Sequence, residues 1–150
     1  DRSPSRGLGD VYKRQTLQDT PRPRVRPDQL NGLLKGFIDL VFEHEGRYYV
    51  ADYKSNWLGP DDSAYSQPAM RLAMAEHRYD LQYSLYLFAL HRLLRVRLPD
   101  YDYDRHVGGA VYLFMRGIGA PGQGVYADKP PRALMDALDA LFQGQETPTP

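Results

Sequence analysis

The sequence contains no cysteine among its 150 residues. Without cysteine the chain forms no disulfide bond, which excludes a small scaffold held together by disulfides. The same absence excludes zinc sites built from thiolates and catalysis by a cysteine nucleophile. Any chemistry of this chain therefore relies on oxygen and nitrogen groups.

The chain also lacks a net charge and a long apolar run. Lys plus Arg and Asp plus Glu each number 19, so the formal net charge is +0. A chain without net charge is not attracted as a whole to a phosphate backbone, so contacts with nucleic acid must be local or shared with other segments. No apolar run approaches the roughly 20 residues of a membrane-spanning helix, and no signal peptide is visible. We therefore expect a cytoplasmic protein with no membrane partner.

The histidines show no metal-binding spacing. His44, His77, His91 and His106 include no pair four residues apart, as a zinc-protease helix would have. The sequence also has no Walker phosphate-binding motif, so it predicts no ATPase. We interpret the acidic run at residues 100–104 as a solvated loop. A metal site in this chain is therefore expected to use carboxylates outside that run.

The middle of the sequence predicts a β-hairpin. Leu34–Phe42 and Tyr48–Ser55 are rich in aromatic and branched residues, which favours two strands. Glu45 and Gly46 between them are typical of a tight turn, because glycine tolerates a positive φ. A two-residue loop and a four-residue loop predict the same strand register.

In that register Asp39 lies directly opposite Asp52. Facing residues of an antiparallel pair have Cβ atoms about 4.5–5.5 Å apart. Lys54 shares the face of Asp52 because side chains alternate along a strand, and Tyr53 points the other way. The prediction depends on an even-length turn, since an odd-length loop would break the alignment.

Two facing carboxylates repel each other unless a positive charge intervenes. A Mg²⁺ ion removes this conflict, since it binds one or two carboxylates together with water and substrate phosphates. Lys54 would then lie near the reacting phosphate or the attacking water. The alternative is a half-exposed hairpin with solvated charges. Against it, residues such as Leu40 and Val50 make the hairpin centre apolar on both faces, so Asp39 and Asp52 are expected where charge is costly.

The remaining sequence predicts a mixed α/β fold. Periodicity indicates two helices, a strand, a glycine-rich loop and a third helix, in this order: Ala64–Glu76, Asp80–Arg97, Val107–Arg116, Ile118–Lys129 and Pro131–Phe142. Pro68 fits the first turn of the first helix. The second helix is expected to be largely buried, marked on one side by Leu81, Leu85, Phe88, Ala89 and Arg92 and broadened by Leu87, Leu90 and Leu94.

Gln82 and Tyr86 lie four residues apart on the second predicted helix, so they share one face. The amide offers hydrogen-bond donors and an acceptor, and the tyrosine offers a hydroxyl and a stacking ring. Such a pair can contact a DNA backbone or brace the carboxylate site. The alternative is an ordinary helix surface in a chain with 12 tyrosines. The predicted carboxylate pair strengthens the functional interpretation.

Both ends of the sequence are expected to lie outside the folded domain. Residues 1–15 lack helical or strand periodicity, and residues 5–15 look like a translated adaptor, so we exclude 1–15 from the fold. On this interpretation the native protein continues upstream and the domain is truncated at its N-terminal side. Residues 21–27 are rich in proline and arginine and are expected to be an extended linker or a basic arm. A domain over residues 16–143 and a disordered tail over 144–150 complete the predicted organisation.

Four segments carry a resemblance when they are taken together. They are Gly36-Phe37-Ile38-Asp39, Asp52-Tyr53-Lys54-Ser55-Asn56-Trp57, Tyr79-Asp80-Leu81-Gln82-Tyr83-Ser84-Leu85-Tyr86 and Gly108-Gly109-Ala110-Val111-Tyr112-Leu113-Phe114. They resemble the nuclease domain of RecB-type helicase–nucleases, within the PD-(D/E)XK nuclease superfamily. The combination of Asp, then Asp-Tyr-Lys, then Gln-x-x-x-Tyr is specific, whereas a lone Asp-x-Lys would be weak. The resemblance covers about residues 28–143.

The resemblance implies a fold and a set of catalytic residues. The fold would be a restriction-endonuclease-like core with a mixed central sheet flanked by helices. Asp39 and Asp52 would ligate Mg²⁺ together with the backbone carbonyl of Tyr53. Lys54 would orient or activate the hydrolytic water and stabilise the pentavalent phosphate.

The resemblance also implies a function and partners. The domain would be a Mg²⁺-dependent exodeoxyribonuclease that degrades linear double- and single-stranded DNA in double-strand-break repair and recombination. Gln82 and Tyr86 would support the site and contact DNA. RecC- and RecD-type subunits and the RecA recombinase would be partners through a longer parent chain. The alternatives are a non-catalytic module that loads RecA and an inactive fragment.

The sequence departs from the family pattern in one respect. The family supplies a further metal-ligating histidine from a helical region well upstream of the Gly-Phe-Ile-Asp strand, and no counterpart appears here. The helicase motor is absent as well. This departure bears on the metal affinity of the chain and on the completeness of its core.

Overall fold

The computed structural model describes residues 38–143 of the chain. The segments predicted at residues 1–15, 21–27 and 144–150, and the start of the first predicted strand, lie outside this range. The described residues form a four-stranded sheet in the order β1-β2-β3-β4, with helices packed against it. None of the helices in this range is long and apolar enough to cross a lipid bilayer.

The first two strands form the predicted hairpin. β1 (Leu40–His44) pairs antiparallel with β2 (Arg47–Lys54) through a two-residue loop. Glu45 and Gly46 in that loop have φ of 51° and 76°. Positive φ at both central residues matches the twist of the flanking strands, which is why this turn closes hairpins. The register is the predicted one.

A helical crossover leads from β2 to its parallel neighbour β3. Its elements, in order, are a 3₁₀ turn (Asp62–Tyr65), α1 (Gln67–Glu76), α2 (Tyr79–Arg97) and the short α3 (Tyr103–His106), followed by β3 (Val107–Phe114). Parallel strands require such a long connection. Pro68 lies in the first turn of α1, as predicted, where its missing N–H costs no hydrogen bond. The helices α1 and α2 cover one face of the sheet.

The last two elements correct the prediction. β4 (Val125–Asp128) pairs antiparallel with β3 and lies within the predicted glycine-rich loop. Four residues preceded by a glycine are too short to show strand alternation in the sequence, and it is their pairing with β3 that makes them a strand. α3 was also not predicted, for the same reason of length. α4 (Arg132–Gln143) agrees with the third predicted helix and packs on α2.

The buried face of α2 agrees with the predicted one except at a few positions. Leu87 and Leu94 are buried in the core as predicted. Ala89 and Arg92 are exposed, and Tyr83, which the prediction did not include, is buried. The helix is apolar on most of its circumference, so leucine spacing alone does not select a face. The tyrosines determine which face of α2 is buried, because their rings pack against the sheet while their hydroxyls reach polar partners.

Gly109 on β3 is a position that only glycine fits. It has φ of +124°, and a Cβ there would lie 2.6 Å from the backbone oxygen of Asp128 on β4. We expect Gly109→Ala to lower the free energy of unfolding by about 2 kcal/mol or more, because both the backbone conformation and a rigid neighbour oppose a side chain. Gly119→Ala is the matched control, since an added Cβ there meets open space. Denaturant unfolding measures both variants, and equal stabilities would contradict the argument.

Candidate active site

The two predicted carboxylates lie together where β1 begins and β2 ends. The register that pairs Leu40 with Ala51 places Asp39 opposite Asp52, one step further along. Asp39 Oδ2 accepts a hydrogen bond of 3.1 Å from the backbone N–H of Tyr53. The Asp39 carboxylate thus accepts the hydrogen bond that a backbone carbonyl of β1 would accept if the strand began earlier.

The environments of the two carboxylates differ. Asp52 is 6% exposed, whereas Asp39 is exposed. The expectation that charge is costly at both positions therefore holds for Asp52 and is wrong for Asp39. β1 lies at one edge of the sheet and begins only at Leu40, so the described elements cover Asp52 and leave Asp39 open.

The carboxylates influence each other's protonation. Burial, and then the hydrogen bond with Asp39, raise the pKa of Asp52 to about 6, although Lys54 opposes the rise. The same hydrogen bond and the N–H of Tyr53 lower the pKa of Asp39. Of the two carboxylates, Asp52 therefore takes up a proton first as the pH falls. A cation in the place of that proton would satisfy both groups.

Lys54 is held at the same end of the sheet. Its Nζ lies 3.0 Å from Asp52 Oδ2 and donates a hydrogen bond of 3.3 Å to Gln82 Oε1. The ammonium also lies 4.0 Å from the centre of the Tyr79 ring, in a favourable cation–π position. Only 14% of the side chain is exposed. These contacts fix the ammonium beside the carboxylates.

The helix α2 brings both of its predicted site residues to this place. Gln82 Oε1 accepts hydrogen bonds from Lys54 and from the hydroxyl of Tyr112, the latter at 2.6 Å. Tyr86 is buried, and its burial, with a further contribution from the charge of Asp52, raises its pKa. The negative charges of Asp52 and Asp39 raise the pKa of Tyr86, so this tyrosine lies close to the two carboxylates.

Two tyrosines of the site had no predicted role. Tyr112 on β3 pairs in register with Asp52, and it carries the hydroxyl that holds Gln82. Tyr79 lies three residues before Gln82 on α2, and Asn56 Nδ2 donates to its hydroxyl at 3.2 Å. Helical spacing from Gln82 could have found Tyr79. Nothing local signals Tyr112, since its position depends on the parallel pairing of β2 and β3.

The other candidate groups lie away from this site. Asp102 and Asp104 in the acidic run form exposed ion pairs with Arg132, at 3.4 and 3.2 Å. The His91 ring lies 2.6 Å from the Tyr101 hydroxyl, between α2 and the segment before α3. Within residues 38–143 no group of three or more His, Asp or Glu side chains is arranged to hold a metal ion.

The donors present at the site suit a hard cation. They are the two carboxylates of Asp39 and Asp52, which lie within hydrogen-bond contact of each other. Mg²⁺ is typically held by one or two protein carboxylates and takes its remaining ligands from water and substrate phosphates. The contact between two carboxylates concentrates negative charge at this place. The residues therefore fit Mg²⁺ better than Zn²⁺, which prefers sulfur and imidazole ligands.

Comparison with known proteins identifies the family. The model of the PD-(D/E)XK nuclease superfamily matches residues 7–146. The RecBCD enzyme subunit RecB of Escherichia coli (strain K12) is 60% identical over 118 residues, which cover 77% of this chain and 10% of that protein. The same subunit of Haemophilus influenzae is 46% identical over 123 residues, or 81% of this chain and 10% of that protein. That of Mycobacterium tuberculosis (strain ATCC 25618 / H37Rv) is 43% identical over 123 residues, or 75% of this chain and 11% of that protein.

The chain thus spans about a tenth of the length of these relatives. The matches confirm both the predicted resemblance and the predicted α/β core with a mixed sheet. The chain belongs to the PD-(D/E)XK nuclease superfamily and is similar to a short part of RecB subunits.

Proposed function

We propose that this chain is the Mg²⁺-dependent nuclease domain of a longer RecB-type protein and hydrolyses phosphodiester bonds of linear DNA. The observation that carries the proposal is the convergence of Asp39, Asp52 and Lys54 at one end of the hairpin. Family membership supplies the reaction class, and the side chains supply the groups that such a reaction needs. The grouping of a buried carboxylate with a second carboxylate and a lysine favours a catalytic domain over an inactive fragment.

Asp39, Asp52 and the carbonyl of Tyr53 would hold the metal ion. When bound, Mg²⁺ supplies positive charge that stabilises the negative charge developing on the phosphate oxygens. Asp52 is well placed for this role because its burial limits competition from solvent. Asp39 is open on one side, which leaves room for a substrate phosphate.

Lys54 would position the attacking water. Its ammonium has three N–H donors, of which Asp52 and Gln82 occupy two. The third is available to a water molecule or to a phosphate oxygen. Attack of the water oxygen on phosphorus forms one P–O bond and breaks another, and the departing sugar oxygen takes up a proton. A fixed ammonium favours this step because it needs no reorganisation as charge develops.

The residues from α2 and β3 would keep Lys54 in place. Gln82 accepts from both Lys54 and Tyr112, so the amide links the helix, the catalytic strand and its parallel neighbour. Tyr86 closes the site from the helix side. Gln82 and Tyr86 therefore support the site in this proposal, and their DNA contacts would come from the same face of α2.

The proposal extends to the protein that contains this domain. The relatives are named as subunits of the RecBCD enzyme. We infer that the longer protein assembles with RecC- and RecD-type subunits and acts on DNA ends in repair and recombination. A bacterial DNA substrate implies a cytoplasmic location.

A second candidate function is a protein-interaction module that engages RecA. It is favoured by the outer face of α2, where Leu93 is 49% and Val96 87% exposed. These residues lie about three and about four turns along the helix from Gln82. Catalysis is the better supported function, because a protein-interaction surface at Leu93 and Val96 would not explain why two carboxylates and a lysine meet at the other end of the helix.

Calorimetric titration with Mg²⁺ tests the proposed metal site. At about pH 8, where a carboxyl group with a raised pKa is still ionised, we expect saturable binding to the chain. Asp52→Asn is expected to weaken binding at least about tenfold, because it removes a charged ligand. Asp136→Asn, an exposed change on α4, is the matched control.

The same variants in the full-length protein connect binding with function. We expect DNA hydrolysis to be lost with Asp52→Asn and kept with Asp136→Asn. Equal Mg²⁺ affinity of the chain and of Asp52→Asn, or hydrolysis that persists in Asp52→Asn, would contradict the proposal. Binding to neither form would require the same titration on a chain extended upstream.

A further inference from the structure

Trp57 is the single tryptophan of the chain, and the catalytic contacts leave it unused. It lies in the loop after β2 and is 65% exposed. Large aromatic rings are highly buried on average, so packing does not explain this position. An exposed ring so close to a site that acts on DNA calls for a ligand-binding interpretation.

Trp57 lies at the same edge of the sheet as Lys54. The N–H of Met115, just beyond β3, donates to the carbonyl of Lys54 at 3.0 Å. The next residue, Arg116, donates from Nε to the carbonyl of Ser55 at 2.9 Å. The loop is thereby tied to the carboxyl end of β3. Three residues of extended chain span at most about 10 Å, so the backbone of Trp57 lies within that distance of Lys54.

Tyr65 fixes the backbone of the loop that carries Trp57. The buried Tyr65 accepts a hydrogen bond from the N–H of Leu58 at 3.2 Å, and its hydroxyl donates to the carbonyl of Asn56 at 3.3 Å. These two bonds flank Trp57 on both sides along the chain. The ring is therefore presented from an ordered backbone, which lowers the entropy cost of binding a ligand.

A cavity of about 340 Å³ lies beside the Trp57 ring. Its walls include Pro60, Asp62, Tyr65 and Arg116. The volume is at the small end of the roughly 300–1,000 Å³ range of ligand pockets. It suits one planar heterocycle and a flanking group better than a protein segment.

The charges around the cavity indicate which part of a nucleotide enters it. Asp61 and Asp62 both line the cavity and would repel a phosphate, so the phosphate stays outside. The Asp62 carboxylate can accept a hydrogen bond from a base N–H. Arg116 uses Nε for Ser55, and its Nη groups are donors suited to a phosphate at the rim. The Trp57 ring supplies a stacking surface, which every base can use.

We propose that Trp57 stacks on an unpaired base of the DNA substrate, with Arg116 at the flanking phosphate. The base must be unpaired and unstacked, because bases inside a duplex are covered on both faces by their neighbours. The substrate strand thus enters as single-stranded DNA or as a frayed end, and stacking sets its position relative to Lys54. This inference rests on the proposed nuclease function and specifies its substrate.

The fluorescence of Trp57 tests the proposal directly, since no other tryptophan contributes. The 150-residue chain is titrated with an oligodeoxyadenylate of about ten nucleotides, within the length that single-strand-binding sites cover. We expect saturable quenching with a shallow dependence on salt, because Arg116 is the one phosphate contact that the proposal places. A blunt duplex with capped ends is expected to leave the fluorescence unchanged. Absent quenching, or equal quenching by the duplex, would overturn the proposal.

Substitutions separate stacking from a general loss of structure. Binding of a labelled oligonucleotide is followed by anisotropy, and Trp57→Ala is expected to weaken it roughly 5- to 150-fold. Trp57→Phe keeps a stacking ring and should stay within about threefold of the unchanged chain. Val96→Ala, which alters another exposed apolar residue, should have no effect. Unchanged binding by Trp57→Ala, or an equal loss in Trp57→Phe, would overturn the proposal.

A failure of this inference is distinguishable from a failure of the proposed function. The cavity beside Trp57 does not include Lys54, so quenching in the unchanged chain and Lys54-dependent cleavage are two separate measurements. Cleavage that survives Lys54→Met in the full-length protein would refute the nuclease mechanism and leave the quenching result standing. Missing quenching beside a Lys54-dependent cleavage would refute the stacking alone.

Discussion

Replacing Lys54 by methionine in the full-length RecB-type protein is expected to lower the rate of DNA hydrolysis by about 10²- to 10⁴-fold. Methionine keeps most of the length of the side chain and removes the charge. The variant loses the donor that would orient water, and it leaves the buried Asp52 without its cation at 3.0 Å. Single-turnover cleavage of linear DNA at saturating Mg²⁺ measures the effect. The loss should appear in kcat rather than in KM, because the ammonium would act on the transition state.

Lys129→Met is the matched control for this experiment. The ammonium of Lys129 also lies over a tyrosine ring, 5.1 Å from the centre of Tyr103, and donates to the carbonyl of Asp104. It lies near the opposite end of β3 from Lys54, beside Gly109. We expect its cleavage rate to stay close to that of the unchanged protein. Equal rates for both methionine variants would refute the catalytic role of Lys54.

Truncating Leu87 to alanine is expected to lower the free energy of unfolding by about 2–5 kcal/mol. Leu87 is fully buried on the face of α2 that packs against the sheet. The substitution removes apolar contacts and leaves a cavity that a close-packed core does not refill. Urea unfolding followed by circular dichroism gives the difference between the two chains.

Leu93→Ala on the same helix separates burial from helix propensity. Leu93 is exposed, so its truncation should change stability by less than about 0.5 kcal/mol. Alanine is an equally good helix former in both positions, which leaves packing as the difference. A loss of stability in Leu93→Ala as large as that in Leu87→Ala would mean that the outer face of α2 is also covered.

The sequence was most informative where structure is local. The turn at Glu45 and Gly46 sets the register over the next few residues on each side, so the meeting of Asp39 with Asp52 followed from counting. The long helix α2 was also predictable within one residue at each end, because a helical pattern over 19 residues is too long to be mistaken for a strand. Short elements such as β4 were missed, since a few residues carry too little periodicity.

Burial was predicted less well than position. The predicted buried side of α2 included Leu87 and Leu94, which are buried, but it also included Ala89 and Arg92, which are exposed. Likewise, apolar neighbours suggested equal burial of Asp39 and Asp52, yet only Asp52 is covered. Burial depends on which elements pack over a residue, and this is a property of the whole sheet and its crossover.

The sequence by itself determined the hairpin, its register, and with them the grouping of Asp39, Asp52 and Lys54 on one face. Only the tertiary structure decided that Gln82 and Tyr112 reach this group. Those contacts join residues 28 and 30 positions apart, and they exist because the crossover through α2 returns the chain as a parallel strand beside β2. A turn acts over a few residues and can be recognised from them, whereas a crossover is stabilised by a core that no short segment contains.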